Sequence, residues 1–417
     1  MFRTGAQMMI LVLVAGLVLL HESRQDPLES WDNSWADFLA MNSRRGQQPA
    51  PVALVGINDE SLRNHPWPWN PLDFSLFFQA ALPNQPGVVA IDEVLDWSRL
   101  ALPDDQVRKL PQYEKILRDN LLRAPKILLG AQLGFPDDPQ LAPPWQEVPL
   151  LRNVKGDLSK VQEFPMVERQ PTDDYRLAST VGFTNLPPSG DRLNSVPLVF
   201  RLRGQVTPAF PLQAVMLWSQ LTPDDVAVYL GSHIQLGPRR IPIDARGQMR
   251  VDFGTPRTDY SFDELLLATE QVQAKSAPVV DLGKIKGSIL LLSRTDKEAR
   301  TIPLAARRNG SPGELFAAAI ATIQNRSFIH RSPLWAQCLV LLGLVLVSYR
   351  VPRWKRSTTL LAGALTVAIY VMISMAVFNR WQTWLPGVMP VGVVLFFTIF
   401  RIATPDAVGK PKRPIIL

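Results

Sequence analysis

The 417 residues carry 44 Lys and Arg against 37 Asp and Glu, for a formal charge of +7, and 47% are apolar. A single cysteine, Cys338, excludes an intramolecular disulfide and a metal site built from several thiolates. The positive excess gathers beside long apolar runs and forms no basic stripe with interleaved aromatics, so it reads as membrane topology and not as nucleic-acid binding.

In chain order, Arg3 precedes an apolar run from Ala6 to Leu20, short for a membrane span and long enough for the core of a signal peptide. The flank Leu19-Leu20-His21-Glu22-Ser23-Arg24 has no small-x-small cleavage site, and no lipobox cysteine occurs after it. An uncleaved anchor over residues 1–23 is therefore expected. The alternative is a cleaved signal peptide, and either one exports the domain after it. Leu28, Trp31, Trp35, Phe38 and Leu39 recur at helical spacing. Such a helix either transmits a shift to the anchor or packs on the core of the exported domain.

The run Pro51 to Ile57 is continuously apolar, as in a buried parallel strand, and polar Asn58-Asp59-Glu60-Ser61 stand at its carboxyl end. After the stiff turn His65-Pro66-Trp67-Pro68-Trp69-Asn70-Pro71, a helix is predicted over Leu72 to Leu82. A second strand, Gly87 to Ile91, ends in Asp92-Glu93. Strand, helix, strand makes a βαβ unit. A polar helix over Asp105 to Leu122 and a third strand over Lys126 to Gln132 extend it. The first half thus predicts an α/β domain with an open, mainly parallel sheet flanked by helices.

Pro136 to Pro171 is rich in proline and charge and reads as an irregular insertion or a lid. The second half has α+β texture. Val181–Asn185, Val196–Leu202, His233–Leu236 and Met249–Phe253 read as short hairpin strands, Phe210 to Gln220 as a helix, and Ile241 to Gly247 as a turn. Lys286 to Leu292 is another buried strand, and Ser311-Pro312-Gly313-Glu314 opens a helix to about Gln324.

Pro333–Tyr349, Thr358–Phe378 and Trp384–Phe400 contain no Asp, Glu, Lys or Arg and predict a bundle of three transmembrane helices over 332–402, a fourth span being the N-terminal anchor. Gly343, Gly363, Gly387 and Gly392 offer small packing positions. The connector Arg350 to Arg356 is strongly basic, and Asn379 to Trp384 holds one Arg and two Trp. By the positive-inside rule the first connector is cytoplasmic and the second external. The tail 403–417, with Lys410, Lys412 and Arg413, is then cytoplasmic. The expectation is a multi-pass protein of a bacterial inner membrane, with residues 24–331 outside and both termini in the cytoplasm.

Val55-Gly-Ile-Asn-Asp-Glu-Ser-Leu62, then Trp67-Pro-Trp69, then Val88-Val-Ala-Ile-Asp-Glu-Val94, resembles the start of the CHASE2 family of extracytoplasmic sensor domains. Ile241 to Phe253, Gly283 to Leu292 and Ser311 to Ile320 extend the resemblance over nearly the whole chain. It implies a periplasmic sensor domain between one N-terminal span and a cluster of three. The sequence departs from the family's pattern at four places. Asn58 stands where a first acid is usual, Asn70-Pro71 where an arginine is, and Ser293 where a glycine is; the acid expected later is not evident near Arg300. Family members often continue into a kinase or cyclase. Here the chain stops about 15 residues after the last span, so a separate output partner is expected.

Ligands in open α/β sheets bind beyond the carboxyl ends of strands. Asp59, Ser61, Trp67, Trp69, Asp92 and Glu93 are accordingly the candidate ligand-binding residues; as a structural alternative, such acids cap helices and form turns. No catalytic residue, metal site or cofactor is expected. The histidines His21, His65, His233 and His330 are isolated, and neither a Gly-x-Ser-x-Gly elbow nor a glycine-rich phosphate loop occurs. The partners expected are the lipid bilayer and an envelope or membrane protein, or a second copy of the chain, with no nucleic acid. Two functions fit: a sensory or regulatory membrane protein, and a non-catalytic structural or scaffolding subunit of an envelope complex.

Overall fold

The computed structural model describes residues 29–43, 48–97, 104–135, 148–187, 193–304, 309–350 and 356–403. The apolar run Ala6–Leu20, the tail with Lys410, Lys412 and Arg413, and most of the basic connector lie outside these residues. The chain divides into two units: Gly46–Phe328, and residues up to Arg45 together with those from Ile329 onward. The first described helix, α1 (Glu29–Asn42), belongs to the latter unit.

The larger unit is an α/β domain. Its sheet contains β1 (Val52–Ile57), β2 (Val88–Ile91), β3 (Ile127–Gly134), β4 (Met166–Arg169), β5 (Thr180–Phe183), β6 (Thr258–Ser261) and β7 (Ile289–Arg294). The order is β6-β1-β7-β2-β3, and every one of these neighbours is parallel. β5 joins β3 in parallel along Leu128–Ala131, and β4 runs antiparallel to the end of β3. Side-chain alternation decides the layers. Ala53, Val55 and Ile57 of β1 enter one core with α2 (Pro71–Ala81), α3 (Asp104–Leu121) and α5 (Phe262–Gln273). Val52 and Leu54 enter the other with α4 (Phe210–Trp218) and α6 (Pro312–Asn325). Helices thus cover both faces, the condition under which parallel strands are apolar throughout.

Several expectations need correcting. In place of the hairpin strand expected at Val181–Asn185, β5 is a parallel strand. β3 is twice as long as β2 (8 residues against 4), and its uncovered edge needs a partner. Asn185 prolongs that pairing, since its side chain bonds both the N–H and the C=O of Leu133 at 2.7 Å. The described part of the supposed lid is a tie instead. Asn153–Lys155 joins a sheet with Val226–Tyr229, Glu163–Phe164 joins Val199–Leu202, and β4 joins β3. Val196–Leu202 splits in two, Ser195–Pro197 pairing with Gln248–Arg250 and Val199–Leu202 with Gln205–Pro208. Ile241 and Pro242 belong to a strand paired with His233–Leu236. The turn proper is Asp244–Gly247, where Asp244 Oδ1 accepts from the N–H groups of Arg246 and Gln248.

In the smaller unit α1 packs with α8 (Arg356–Trp381) and α9 (Val388–Ala403), and α7 (Leu334–Arg350) packs with α9. Among the described residues only Thr358–Trp381, 24 residues, is both long and apolar enough to cross a membrane. α7 and α9, at 17 and 16 residues, span about 26 and 24 Å against a hydrocarbon core of about 30 Å. Only part of the apolar stripe expected on α1 is packed: Leu39 and Trp35 lie against Phe378 and Trp384, whereas Trp31 and Phe38 point outward.

Candidate functional site

The strand order decides which candidates meet. β7 lies between β1 and β2, so residues from the C-terminal part of the chain separate Asp59 from Asp92. Ile57 is level with Arg294, and Ile91 with Leu292. The carboxyl edge of the sheet therefore carries Asn58 and Asp59 on one side, Asp92 and Glu93 on the other, and Ser293, Arg294, Thr295 and Asp296 in the middle.

On the β2 side, Ser293 Oγ donates to Asp92 Oδ2 at 2.7 Å. Asp92 Oδ1 is buried and makes no hydrogen bond among the described residues. Burial drives the Asp92 carboxyl well above the usual carboxylate range, and the charge of Glu93 adds to this; the Ser293 bond opposes both. Burial also raises Glu93, while Arg294 and Arg169 pull it down. Arg169 comes from β4, and its buried Nε makes no hydrogen bond among the described residues. Arg294 is locked: Nε and Nη2 bond the two carboxylate oxygens of the buried Asp296 at 2.9 and 2.7 Å. Burial alone would raise Asp296, but these bonds and that from the Glu298 N–H outweigh it and hold the carboxyl low. The Arg294 guanidinium also lies over the Trp67 ring, 4.4 Å from its centre.

The approach of the backbones here is close. A Cβ on Gly130 would sit 2.5 Å from the Asp92 carbonyl oxygen, and one on Gly313 would sit 2.0 Å from Ser293 Oγ. Neither position admits a larger residue without displacing the Asp92–Ser293 pair.

The other candidates separate from this cluster. Asp59 bridges to the β7 loop, accepting from the Lys297 N–H at 3.1 Å and lying 3.4 Å from Lys297 Nζ. Ser61 is buried and donates to Asp263 at 2.5 Å. Trp69 is a core residue, 1% exposed, packed among Phe74, Phe262 and His65, and its Nε1 donates to the His65 carbonyl. An open cleft of about 670 Å³ lies on the β6–β1 side, lined by Gly56, Asn58, Glu60, Tyr260, Asp263 and Thr295 among others. Its lining includes neither Asp92 nor Glu93. Two of its acids are committed to structure: Asp263 to Ser61 and Asn64, and Glu264 to the Ser261 N–H that starts α5. Among the described residues no group of three or more His, Cys, Asp or Glu is arranged to hold a metal ion.

Three of the departures noted in the sequence have structural roles here. Asn58 Oδ1 accepts from the N–H groups of Glu60 and Ser61. Asn70 caps α2 through the Leu72 N–H, and Asp73 accepts from the Asn70 N–H in return. Ser293 supplies the hydroxyl that Asp92 accepts. Sequence reasoning missed Ser293, Arg294, Asp296 and Arg169 as neighbours of Asp92. For Ser293, Arg294 and Asp296 the readable signal was polar residues at the end of a buried apolar run, the same signal that singled out Asp92; Arg169 ends a short mixed strand and carries no such signal.

The sequence matches the CHASE2 domain over residues 9–349. No curated protein and no solved structure matches it.

Proposed function

The chain belongs to the CHASE2 family of extracytoplasmic sensor domains, and on that basis we propose that it is a sensory or regulatory membrane protein. Its sheet domain binds a small ligand or an envelope protein at the carboxyl edge formed by β2 and β7. The helices pass the resulting shift to a cytoplasmic partner. The observation that carries this reading is the buried Oδ1 of Asp92 beside Glu93, to which no described residue donates, in a domain whose family senses. A buried carboxylate oxygen without a partner is costly, and a bound donor relieves that cost. The site acts by binding: coupling requires two states with different ligand affinity, and no chemical step is assigned to it.

The proposal includes four spans, with α7, α8 and α9 crossing the bilayer after an N-terminal span over Ala6–Leu20. Its support is the distribution of residues along α7–α9. Arg350 and Arg356 lie at one end of the hairpin, while Trp381 and Trp384 lie at the other. In this arrangement the domain is extracytoplasmic and both termini are cytoplasmic.

The test is thermal unfolding of the full-length chain in nanodiscs against metabolites and cell-wall fragments. A ligand at 100 times its Kd adds about 2.7 kcal/mol. A saturable shift that disappears in Asp92→Asn and Glu93→Gln supports ligand sensing. No shift, together with a stable envelope protein co-purifying, favours a structural subunit. That second reading has its own observation: Asn58, Asn70 and Ser293 each complete a hydrogen-bond pattern with other groups of the chain.

A further inference from the structure

Helix α1 is built inside out for a helix in water. Its outward stripe is Trp31, Phe38 and Met41, exposed by 68%, 45% and 58%. Its inward side holds the acids Asp32, 1% exposed, and Asp37, also buried. The orientation is pinned. Asp32 Oδ1 accepts from the N–H groups of Gly387 and Val388, at 3.1 and 3.0 Å, at the start of α9. Trp35 Nε1 donates to the Leu385 carbonyl at 3.0 Å, and Ala36, Leu39 and Ala40 pack on Phe378 and Trp384. The helix cannot roll its acids outward without breaking these contacts.

The place of α1 identifies the medium that covers its stripe. It packs at the end of α8, where α7 and α9 begin, and residues 330–331 pair there with residues 383–384. Two more exposed tryptophans, Trp335 and Trp381, lie at this same end. Beyond it the outward surface of α8 is apolar along Leu361, Leu365, Ile369 and Met372. Tryptophan at one level, continuous with an apolar belt, marks the boundary between hydrocarbon and headgroups. A helix with one apolar face lies in that boundary plane.

We infer that α1 is an interfacial helix, its Trp31–Phe38–Met41 face embedded in the external headgroup region of the bilayer and its acidic face clamping the start of α9. This rests on the reading that α8 spans the membrane, and the experiment separates the two.

In a Cys338→Ser background, single cysteines replace Trp31, Phe38 or Met41. Two references are added: Leu361 on the outward face of α8, and Leu177, fully outward in the sheet domain. Each full-length variant is spin-labelled in phosphatidylcholine vesicles. Accessibility to oxygen is compared with accessibility to a water-soluble nickel chelate. The expected ratio at 31, 38 and 41 lies between the two references, several-fold above Leu177. Three positions guard against one variant that fails to fold. A ratio equal to that at Leu177 overturns the inference. So does exclusion of both reagents, with spin–spin broadening, which would mean that a second copy covers the stripe. If Leu361 itself reads as Leu177, the spanning reading fails first and the inference falls with it.

Discussion

The sheet domain and the helical unit use apolar residues in opposite ways. In the first, β1 is buried at every position and Phe77 and Phe78 of α2 are fully enclosed. In the second, only 11% of the most apolar stretch of α8 is buried. Hydrophobic burial in the sheet domain is supplied by its own chain, whereas the helical unit presents the same residue types outward and buries Asp32 and Asp37. The two regions share apolar residue types and differ in where packing leaves them, enclosed between sheet and helices in one and on the helix surface in the other.

The largest effect that sharpens this contrast is a truncation in each region. Phe77→Ala should cost about 3–5 kcal/mol of stability, while Leu361→Ala should stay within about 0.5 kcal/mol. Denaturant unfolding of both variants in the same nanodiscs measures the pair. Equal losses would mean that the two regions share one kind of core.

Next in size, Asp32→Ala removes the acceptor for two N–H groups at the start of α9, at a cost of about 1–2 kcal/mol. Hydrogen exchange should report it as faster exchange at Gly387 and Val388, with the sheet domain unchanged. Uniform acceleration across both units would contradict a local cap.

A pH series probes the two kinds of carboxyl inside the sheet domain. A raised carboxyl holds its proton more tightly folded than unfolded. The contribution of Asp92 is therefore greatest below the ordinary carboxylate range and declines as pH rises toward its displaced value. Asp296 behaves oppositely: its contribution is present above the ordinary range and is lost as pH falls through its lowered value. Asp92→Asn should lessen the decline on the rising side and leave the acid limb of Asp296 in place. Thermal unfolding at a series of pH values decides this, and profiles parallel to wild type would mean that Asp92 does not titrate as its burial implies.

The smallest effect belongs to Asp59→Ala. Its ion pair with Lys297 is solvent-exposed, so the loss should fall below about 1 kcal/mol. A drop as large as that of Phe77→Ala would show that this surface tie holds β1 and β7 in register.

Much of the domain was legible from local pattern. The apolar runs of β1, β2, β3 and β7 and the proline-led start of α6 give their elements directly, because burial and capping act within a few residues. β6 was not legible: Thr258-Asp-Tyr-Ser261 is a short polar edge strand without an apolar run. α5 escaped the reading although Ser261 and Glu264 form a capping box that the sequence displays. Of the site, Asp92 and Glu93 were found by their place at a strand end. Their neighbours were not, because Ser293 lies 201 positions from Asp92 and meets it only through sheet order.

Local pattern was enough to establish an α/β domain with a mainly parallel sheet, a strongly apolar C-terminal third, and acids at two strand ends. Those follow from periodicity and composition, which are properties of neighbouring residues. Three features needed the packed chain: β7 enters between β1 and β2, Trp69 is core while Trp67 carries Arg294, and α1 buries Asp32 and Asp37 and turns Trp31 and Phe38 outward. Each of these depends on which distant segments pack together, and hydrophobic pattern is silent on that choice because it marks a face as apolar without naming what covers it.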